Sequence, residues 1–276
     1  MKAGVAAGAV GLALTFGQPT LAWAAGVDLA PHEALYSMSL ASTNLSGGVT
    51  GAYGTMSYKF ADSCTGWTVE SKTDLTFSYN EGDPVATTWD FVTWESKDGL
   101  RYRFRERSTR DGVVSEEIEG TARLDGIGKG GMVHYTQPEE RVIRLPRGTL
   151  FPTYHTEELL ALAVKGGHAL LRPLFDGTGT EGPLDVNAVL GREVAANANI
   201  SPSEAKTAVD AALLSAPSWR IQMAFFSQDA TDGTPDYEVG LHYYENGVVD
   251  EVLQSYGDFS LRGILEKLRP LPKPDC

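Results

Sequence analysis

Residues 67–79 read WTVESKTDLTFSY, and their apolar side chains fall on alternate positions. Every even position in this stretch is polar or charged, while the odd positions include Trp67, Val69, Leu75, Phe77 and Tyr79. Because successive side chains of a strand point to opposite faces, this alternation predicts a half-buried β-strand. The expected fold class is therefore mainly β.

The same alternation recurs beside pairs of residues that are typical of tight turns. An Asp-Gly pair at 98–99 precedes residues 100–107, in which Leu100, Tyr102 and Phe104 alternate with the arginines at 101, 103, 105 and 107. An Asn-Gly pair at 246–247 follows an alternating segment at 237–243, as in a two-residue hairpin. The sequence thus predicts a long antiparallel meander. Because its strands have one apolar face, the sheet must curl around another element of the protein or pack against one.

Three short helices are also predicted. The first begins at Thr156 and ends before a Gly pair at 166–167, and we expect it to cover the open edge or mouth of the sheet. The second is the Ala-rich segment 201–215. The third covers residues 260–268 and is expected to fill the curved sheet, because its apolar residues have three- and four-residue spacing: Leu261, Ile264, Leu265 and Leu268.

Composition excludes several classes of protein. The chain has 276 residues, 42% of them hydrophobic, so it is neither disordered nor collagen-like. Its 36 acidic and 23 basic residues give a formal charge of −13, which argues against nucleic acid and anionic membranes as main partners. No linker divides the chain, so we expect residues 25–276 to form a single domain.

The first 24 residues have the features of a secretory signal peptide. Lys2 precedes an apolar segment at 3–16, and Ala22-Trp23-Ala24 matches the small-x-small cleavage pattern. An uncleaved membrane anchor is the competing interpretation, but the apolar segment is short compared with the about 20 residues of a membrane span. We therefore expect a periplasmic protein that does not span a membrane after cleavage.

The chain contains two cysteines, Cys64 and Cys276. In an oxidising compartment one disulfide is the simplest state, and two free thiols or a mixed disulfide with a partner are the alternatives. A structural bridge is favoured over a redox role because the sequence has no Cys-x-x-Cys motif. Such a bridge would tie the first third of the mature chain to its end.

No motif predicts catalysis, a metal site or a cofactor. The nucleophile elbow, the paired-histidine zinc motif and the phosphate-binding loops are all missing, and the five histidines lack metal-ligand spacing. Thr153, His155 and Thr156 lie just before or at the start of the first predicted helix, as a possible functional loop. We expect them to cap its free N–H groups rather than to catalyse a reaction.

Closely spaced aromatic residues suggest a cavity for an acyl chain. Trp89 and Phe91 fall on one face of a predicted strand, and the candidate lining also includes Leu261, Ile264 and Leu265. A packed β core is the favoured interpretation of the two aromatic residues. The arginine stripe at 101–107 is likewise expected to be a solvated sheet face paired with glutamates on the neighbouring strand, rather than an anion-binding surface.

The chain resembles the EipB-like cell-envelope-integrity family, a group of exported proteins from alphaproteobacteria. The resemblance rests on ordered short blocks: APHEALY at 30–36, DGLRYRF at 98–104, LPRGTLFPTYHT at 145–156, FDG at 175–177, Cys64 and the Pro-rich tail that ends in Cys276. It implies an antiparallel β-spiral, or open half-barrel, around a helix, similar to the lipoprotein carriers of the Lol pathway. Segment 201–215 departs from the family as an apparent insertion.

The resemblance also implies a disulfide between Cys64 and Cys276, a periplasmic location and a partner with tetratricopeptide repeats. The expected function is maintenance of the cell envelope through protein or lipid contacts, without catalysis. The alternative is a carrier that holds a lipid or an acylated protein in the concave face of the sheet. A hydrolase assembled around His155 is the third hypothesis.

Overall fold

The computed structural model describes residues 27–44, 48–198, 208–228 and 233–276. The predicted signal peptide at 1–24 lies outside these ranges, so its cleavage stays a prediction. Within them, none of the helices has the length and apolar character needed to cross a membrane.

The described residues form fourteen strands, one α-helix and one short 3-10 helix, and the protein is mainly β as predicted. The first group of strands runs from β1 to β8: β1 His32–Thr43, β2 Val49–Asp62, β3 Gly66–Tyr79, β4 Val85–Ser96, β5 Arg101–Arg110, β6 Val113–Leu124, β7 Gly131–Gln137 and β8 Arg141–Leu145. The remaining elements are α1 Pro152–Val164, β9 Ala169–Leu174, β10 Leu184–Val194, the 3-10 helix Ala211–Leu214, β11 Ser218–Ser227, β12 Tyr237–Tyr244, β13 Val249–Ser255 and β14 Phe259–Pro270.

All fourteen strands belong to one antiparallel sheet. Strand β1 lies between β2 and β14, so the beginning and the end of the meander pair with each other. The two edge strands are β8 and β9, which are consecutive in the chain, and the sheet stays open between them. Helix α1 lies in the connection between these two edges, where Leu150 makes a single parallel bridge to Leu174.

The sheet wraps around α1. Leu159, Leu160 and Ala163 of the helix are buried in a cluster that joins both halves of the sheet, with Phe60 and Trp67 on one side and residues of β9–β11 on the other. A second cluster fills the seam between β1 and β14, and a third lies within β5–β8. The prediction of an open sheet around a helix is therefore confirmed.

The interior helix is α1, and the prediction of a helix at 260–268 is wrong because this segment is strand β14. Leu261 and Leu265 face the core on one side of the strand. A β-bulge then inserts Glu266 as an extra residue, because Tyr36 pairs with Leu265 whereas the preceding Leu35 pairs with Lys267. The bulge turns Leu268 inward as well, and the resulting spacing imitates a helix.

The other two predicted helices also need correction. Helix α1 begins at Pro152 rather than Thr156, because Pro is well suited to the first turn, whose N–H groups lack partners within the helix. Of segment 201–215, residues 201–207 lie outside the described ranges. The rest contains a one-residue bridge from Val209 to Leu268 and the 3-10 helix, whose first turn is capped by Asp210, so this part is not an α-helix.

A disulfide joins Cys64 and Cys276, as the family resemblance implied. Cys64 lies in the turn between β2 and β3, and its Cα atom is 5.7 Å from that of Cys276, across a sequence separation of 212 residues. The tail after β14 runs beside the segment before β1, where the backbone N–H of Leu271 donates to the carbonyl of Pro31. The C-terminal tail is thus held both beside the segment that precedes β1 and against the turn between β2 and β3.

Candidate functional site

A half-enclosed cavity of about 350 Å³ lies between the sheet and the first turn of α1. Its walls come from the inner faces of β1–β5 on one side and of β12 and β13 on the other. The helix packs in one of the three buried clusters and borders this space at Pro152, Thr153 and Thr156. The cavity therefore exists because a single helix is too small to fill the concave face of a sheet this wide.

Most of the cavity wall is apolar. Its aliphatic and aromatic surface includes Met56, Val69, Phe91, Val239 and Leu241. These side chains come from strands on both sides of the β1–β14 seam, so the cavity depends on the pairing of the two halves of the sheet. Such a wall favours an apolar ligand, or the apolar part of a larger one.

Tyrosine hydroxyl groups supply much of the polar surface of the cavity wall. The Tyr36 hydroxyl donates a 2.7 Å hydrogen bond to the carbonyl of Val249, and the Tyr102 hydroxyl donates one of 2.7 Å to the carbonyl of Asp176. The Tyr58 hydroxyl has no hydrogen-bond partner among the described residues, and burial raises the pKa of this side chain well above its usual range. These phenols are therefore neutral at physiological pH.

The cavity carries almost no charge. None of the described residues that line it is Lys or Arg, and its one carboxyl belongs to Asp176. Burial raises the pKa of Asp176, against the effect of hydrogen bonds that its Oδ1 accepts from the backbone N–H and the hydroxyl of Thr178. Burial lowers the pKa of His32, which also lines the cavity. Among the described residues, the wall thus has one carboxyl group, several hydroxyl groups and no basic Lys or Arg side chain.

Glu95, on the inner face of β4, caps helix α1. Its carboxylate accepts hydrogen bonds from the backbone N–H groups of Thr153, at 2.7 Å, and Tyr154, at 2.8 Å. The side chain is buried, and desolvation raises the pKa of Glu95 to about 7 although both hydrogen bonds favour the charged form. Sequence analysis missed this residue, because nothing local connects Glu95 with a helix that begins 57 residues later.

The capping role predicted for Thr153, His155 and Thr156 is wrong, because all three lie inside the helix. Residues beyond the cap position have helical backbone, and here the N–H groups are satisfied by Glu95. Thr153 and Thr156 instead line the cavity. His155 is buried, its Nε2 atom has no hydrogen-bond partner, and burial lowers its pKa to about 4, so the imidazole is neutral.

The five residues predicted to line a ligand cavity lie in different places. Phe91 is part of the cavity wall. Trp89 shares its face of β4 but is 42% exposed and is not part of the wall, and Leu261 and Leu265 pack in the cluster at the β1–β14 seam. Ile264 is on the outer face of β14 and 38% exposed, which is a consequence of strand rather than helix geometry.

The arginine stripe of β5 lies on the outer face of the sheet, as the alternation predicted. Arg105 forms a 2.9 Å ion pair with Glu117 of β6, and both side chains are exposed. Arg101 and Arg103 lie over the ring of Trp94 on β4, with guanidinium-to-centroid distances of 5.6 and 5.3 Å. These contacts favour the interpretation of a solvated sheet face.

A Ser-His-Asp arrangement that the sequence did not reveal joins β11, β12 and the start of β13. The Nε2 atom of His242 lies 3.0 Å from the hydroxyl of Ser218, and its Nδ1 atom lies 2.6 Å from Asp250. Asp250 also accepts a 2.9 Å hydrogen bond from the hydroxyl of Tyr244. The distances match those of a nucleophile, base and orienting acid.

This arrangement lacks the access that catalysis needs. Ser218 is only 1% exposed and does not line the cavity. His242 is on the opposite face of β12 from the cavity-lining Leu241 and Tyr243. A substrate therefore cannot reach the Ser218 hydroxyl in this conformation, and we interpret the arrangement as a structural network. In the described ranges no three His, Cys, Asp or Glu side chains are grouped as ligands for a metal ion.

Comparison with known proteins identifies the family. The model of the family described as EipB-like matches residues 23–272. A protein of Brucella abortus (strain 2308) named cell envelope integrity protein EipB is 31% identical over 247 residues, which are 89% of this chain and 85% of that protein.

A solved structure supports the same relationship. The crystal structure of a beta-barrel-like protein of domain of unknown function DUF1849, from Brucella abortus, superposes with a TM-score of 0.80 at 29% identity and covers 88% of this chain and 99% of that chain. The open sheet around a helix is thus a fold that has been observed in a protein of similar sequence. On the match of 23–272 and the 31% identity, the chain belongs to the EipB-like family.

Proposed function

We propose that the protein maintains the integrity of the cell envelope from the periplasm, through protein or lipid contacts and without catalysing a reaction. The observation that carries this proposal is family membership together with a relative, 31% identical, that is named for cell envelope integrity. The Cys64–Cys276 disulfide supports a periplasmic location, because such bonds persist in oxidising compartments.

Two observations support a role without catalysis. The Ser218 hydroxyl is buried away from the cavity, and His155 is a neutral side chain inside the core. The hypothesis of a hydrolase around His155 is tested by His155→Asn, which removes an acid–base group. We expect this variant to support envelope integrity as well as the wild type does.

The partner that we propose is a periplasmic protein with tetratricopeptide repeats. Support comes from the family resemblance. The outer face of the single sheet also carries exposed apolar side chains, such as Tyr53 and Leu171, that could contact a partner. Crosslinking in living cells, with a photoreactive residue at the exposed Tyr53 of β2 or Leu171 of β9, followed by mass spectrometry, tests this proposal. Recovery of membrane lipid with no protein adduct at either position would contradict it.

The function itself is tested by deletion and complementation. We expect a deletion strain to be more sensitive to detergent and to a chelator of outer-membrane cations, and the full chain to restore resistance. A chain without residues 1–24 should fail to do so, although it is made in the same amount. Equal resistance of the deletion and parent strains would contradict the integrity role, and rescue by the shortened chain would contradict the periplasmic location.

The carrier hypothesis remains separate from this proposal. A carrier would release a lipid or acylated protein to an acceptor, whereas the name of the relative refers to envelope integrity alone. Native mass spectrometry of protein taken from the periplasm distinguishes the two. A cargo at near-unit occupancy that passes to membrane vesicles would favour the carrier.

A further inference from the structure

The cavity beside α1 has the chemistry of a ligand site with defined selectivity. We infer that it binds a small neutral amphiphile, which places a short apolar chain against Val69, Phe91 and Leu241 and an uncharged hydroxyl or amide end near Tyr58. This inference deepens the proposed function and rests on it for its biological meaning, whereas the binding measurement itself is independent of envelope integrity.

The size of the cavity favours one short chain. Ligand pockets in proteins have volumes of about 300–1,000 Å³, and the cavity, at about 350 Å³, is near the lower end of this range. It is also half-enclosed by the concave face of the sheet and bounded on one side by the first turn of α1. A single-chain molecule fits these limits better than a lipid with several acyl chains.

Hydrogen bonding indicates a polar end on the ligand. The side chain of Tyr58 lines the cavity, and its hydroxyl group has no hydrogen-bond partner among the described residues, so it is free to bond to a ligand. Ser71 and Thr93 place further hydroxyl groups on the neighbouring strands β3 and β4, and Gln254 of β13 adds an amide. An incoming hydroxyl or amide group can both donate to and accept from such a wall.

The charge of the cavity wall determines which kind of polar end group a ligand can have. A carboxylate or phosphate would enter a space in which no described lining residue is Lys or Arg, and burial of an unpaired anion is costly. An ammonium group has only Asp176 to pair with, and the Oδ1 atom of that carboxyl already accepts two hydrogen bonds from Thr178. The wall therefore selects for a neutral group.

The test compares three ligands of equal chain length, decanol, decanoate and decylammonium, by isothermal titration with the mature oxidised protein at neutral pH. We expect decanol to bind about tenfold more tightly than either ion, or better, because decanoate loses its hydration without gaining a cationic partner and decylammonium gains only Asp176, whose Oδ1 atom already accepts two hydrogen bonds. Decanoate or decylammonium binding as tightly as decanol would overturn the selectivity, and no binding of any of the three would overturn the site.

Two variants locate the site, each with a matched control. Ser71→Phe fills the cavity and should abolish decanol binding, whereas Ser57→Phe puts the same ring on the exposed outer face of β2 and should leave it unchanged. Tyr58→Phe removes one hydroxyl and should weaken binding by about threefold to tenfold, while Tyr53→Phe at a 63% exposed position should have no effect.

The variants also separate this inference from the proposed function. If Ser71→Phe fails to fold, Tyr58→Phe alone decides the location of the site. Decanol binding that is unaffected by Tyr58→Phe and by a folded Ser71→Phe would overturn it. If a variant loses decanol binding but fully restores envelope integrity, the binding site is supported and its role in envelope integrity is refuted. If the wild type itself fails to restore integrity, the proposed function is refuted and the binding site is not.

Discussion

The carboxylate of Glu95 accepts a 2.7 Å hydrogen bond from the backbone N–H of Thr153, 58 residues further along the chain. One side chain of the sheet thus fixes the start of the helix that the sheet encloses. The first N–H groups of a helix lack partners within it, and inside a protein they cannot be left without one. Glu95 therefore positions α1 and, with it, the wall of the cavity.

Replacing Glu95 with Ala should destabilise the protein. The substitution leaves the N–H groups of Thr153 and Tyr154 without their buried acceptor, and we expect a loss of about 2 kcal/mol in the free energy of unfolding. Urea denaturation measures this loss. The control is Glu70→Ala, which removes an exposed partner of Lys59 and should cost less than about 0.5 kcal/mol. Equal losses would contradict the capping role.

The contribution of Glu95 should also depend on pH. Because its pKa is raised from 4.5 to about 7 in the folded protein, the folded state binds the proton more tightly than the unfolded state. Its contribution to stability is therefore greatest below about pH 4.5 and declines, by about 3 kcal/mol in total, as the pH rises through about 7. The measurement is the difference in unfolding free energy between the wild type and Glu95→Gln from about pH 4 to about pH 8. A difference that grows with pH would show that the carboxylate, and not the acid, is the favoured form.

His155 should make the protein sensitive to acid. Its pKa is lowered from 6.5 to about 4 by burial, so the unfolded state takes up a proton that the folded state excludes. The contribution of the neutral imidazole is present above about pH 6.5 and is lost, to the extent of about 3 kcal/mol, as the pH falls to about 4. His155→Leu removes this dependence and also removes a buried Nε2 atom without a partner. Parallel stability curves for the wild type and this variant would refute the prediction.

The disulfide should stabilise the folded protein substantially. For a closed loop of 212 residues, chain entropy gives an upper value of about 5 kcal/mol. Cys64→Ser should lower the melting temperature under oxidising conditions and make it insensitive to reductant. The double variant with Cys276→Ser is the matched control and should melt like the single one. A wild type that melts at the same temperature with and without reductant would rule out this contribution.

Ser218 should behave as a structural residue. Since its side chain is 1% exposed, a fluorophosphonate probe should label the native wild type no more than it labels Ser218→Ala. The variant should lose about 1 kcal/mol of stability, because the hydrogen bond with His242 is removed. Stoichiometric labelling that Ser218→Ala abolishes would instead support a hydrolase.

Strands with regular alternation could be predicted from the sequence. The segment 67–79 coincides with β3, which begins one residue earlier, and the arginines of β5 lie on the outer face as expected. The helix at 260–268 could not be rejected, because the bulge at Glu266 exists only through the pairing of β14 with β1. Bulges change which side chains face the core without any local signal.

The candidate site was predictable only in part. Phe91 was expected to face inward, and it does line the cavity, whereas Tyr58, Tyr102 and Glu95 were missed. Tyr102 and Glu95 act through partners on distant elements, the carbonyl of Asp176 and the first turn of α1. Tyr58 lines the cavity only because distant strands and α1 come together around it. Sequence alone also left the state of the two cysteines open, and only the family resemblance implied their pairing.

The pairing of β1 with β14 has a consequence for the time course of folding. At this seam Glu33 and Arg269 form an ion pair across 236 residues. Strand β1 can therefore pair with β14 only after more than 200 further residues have been synthesised, and closing so long a loop slows folding. Until then β1 exposes an unpaired edge that can template aggregation. We expect the newly made chain to depend on a holding chaperone for longer than a domain of equal size with local strand pairing.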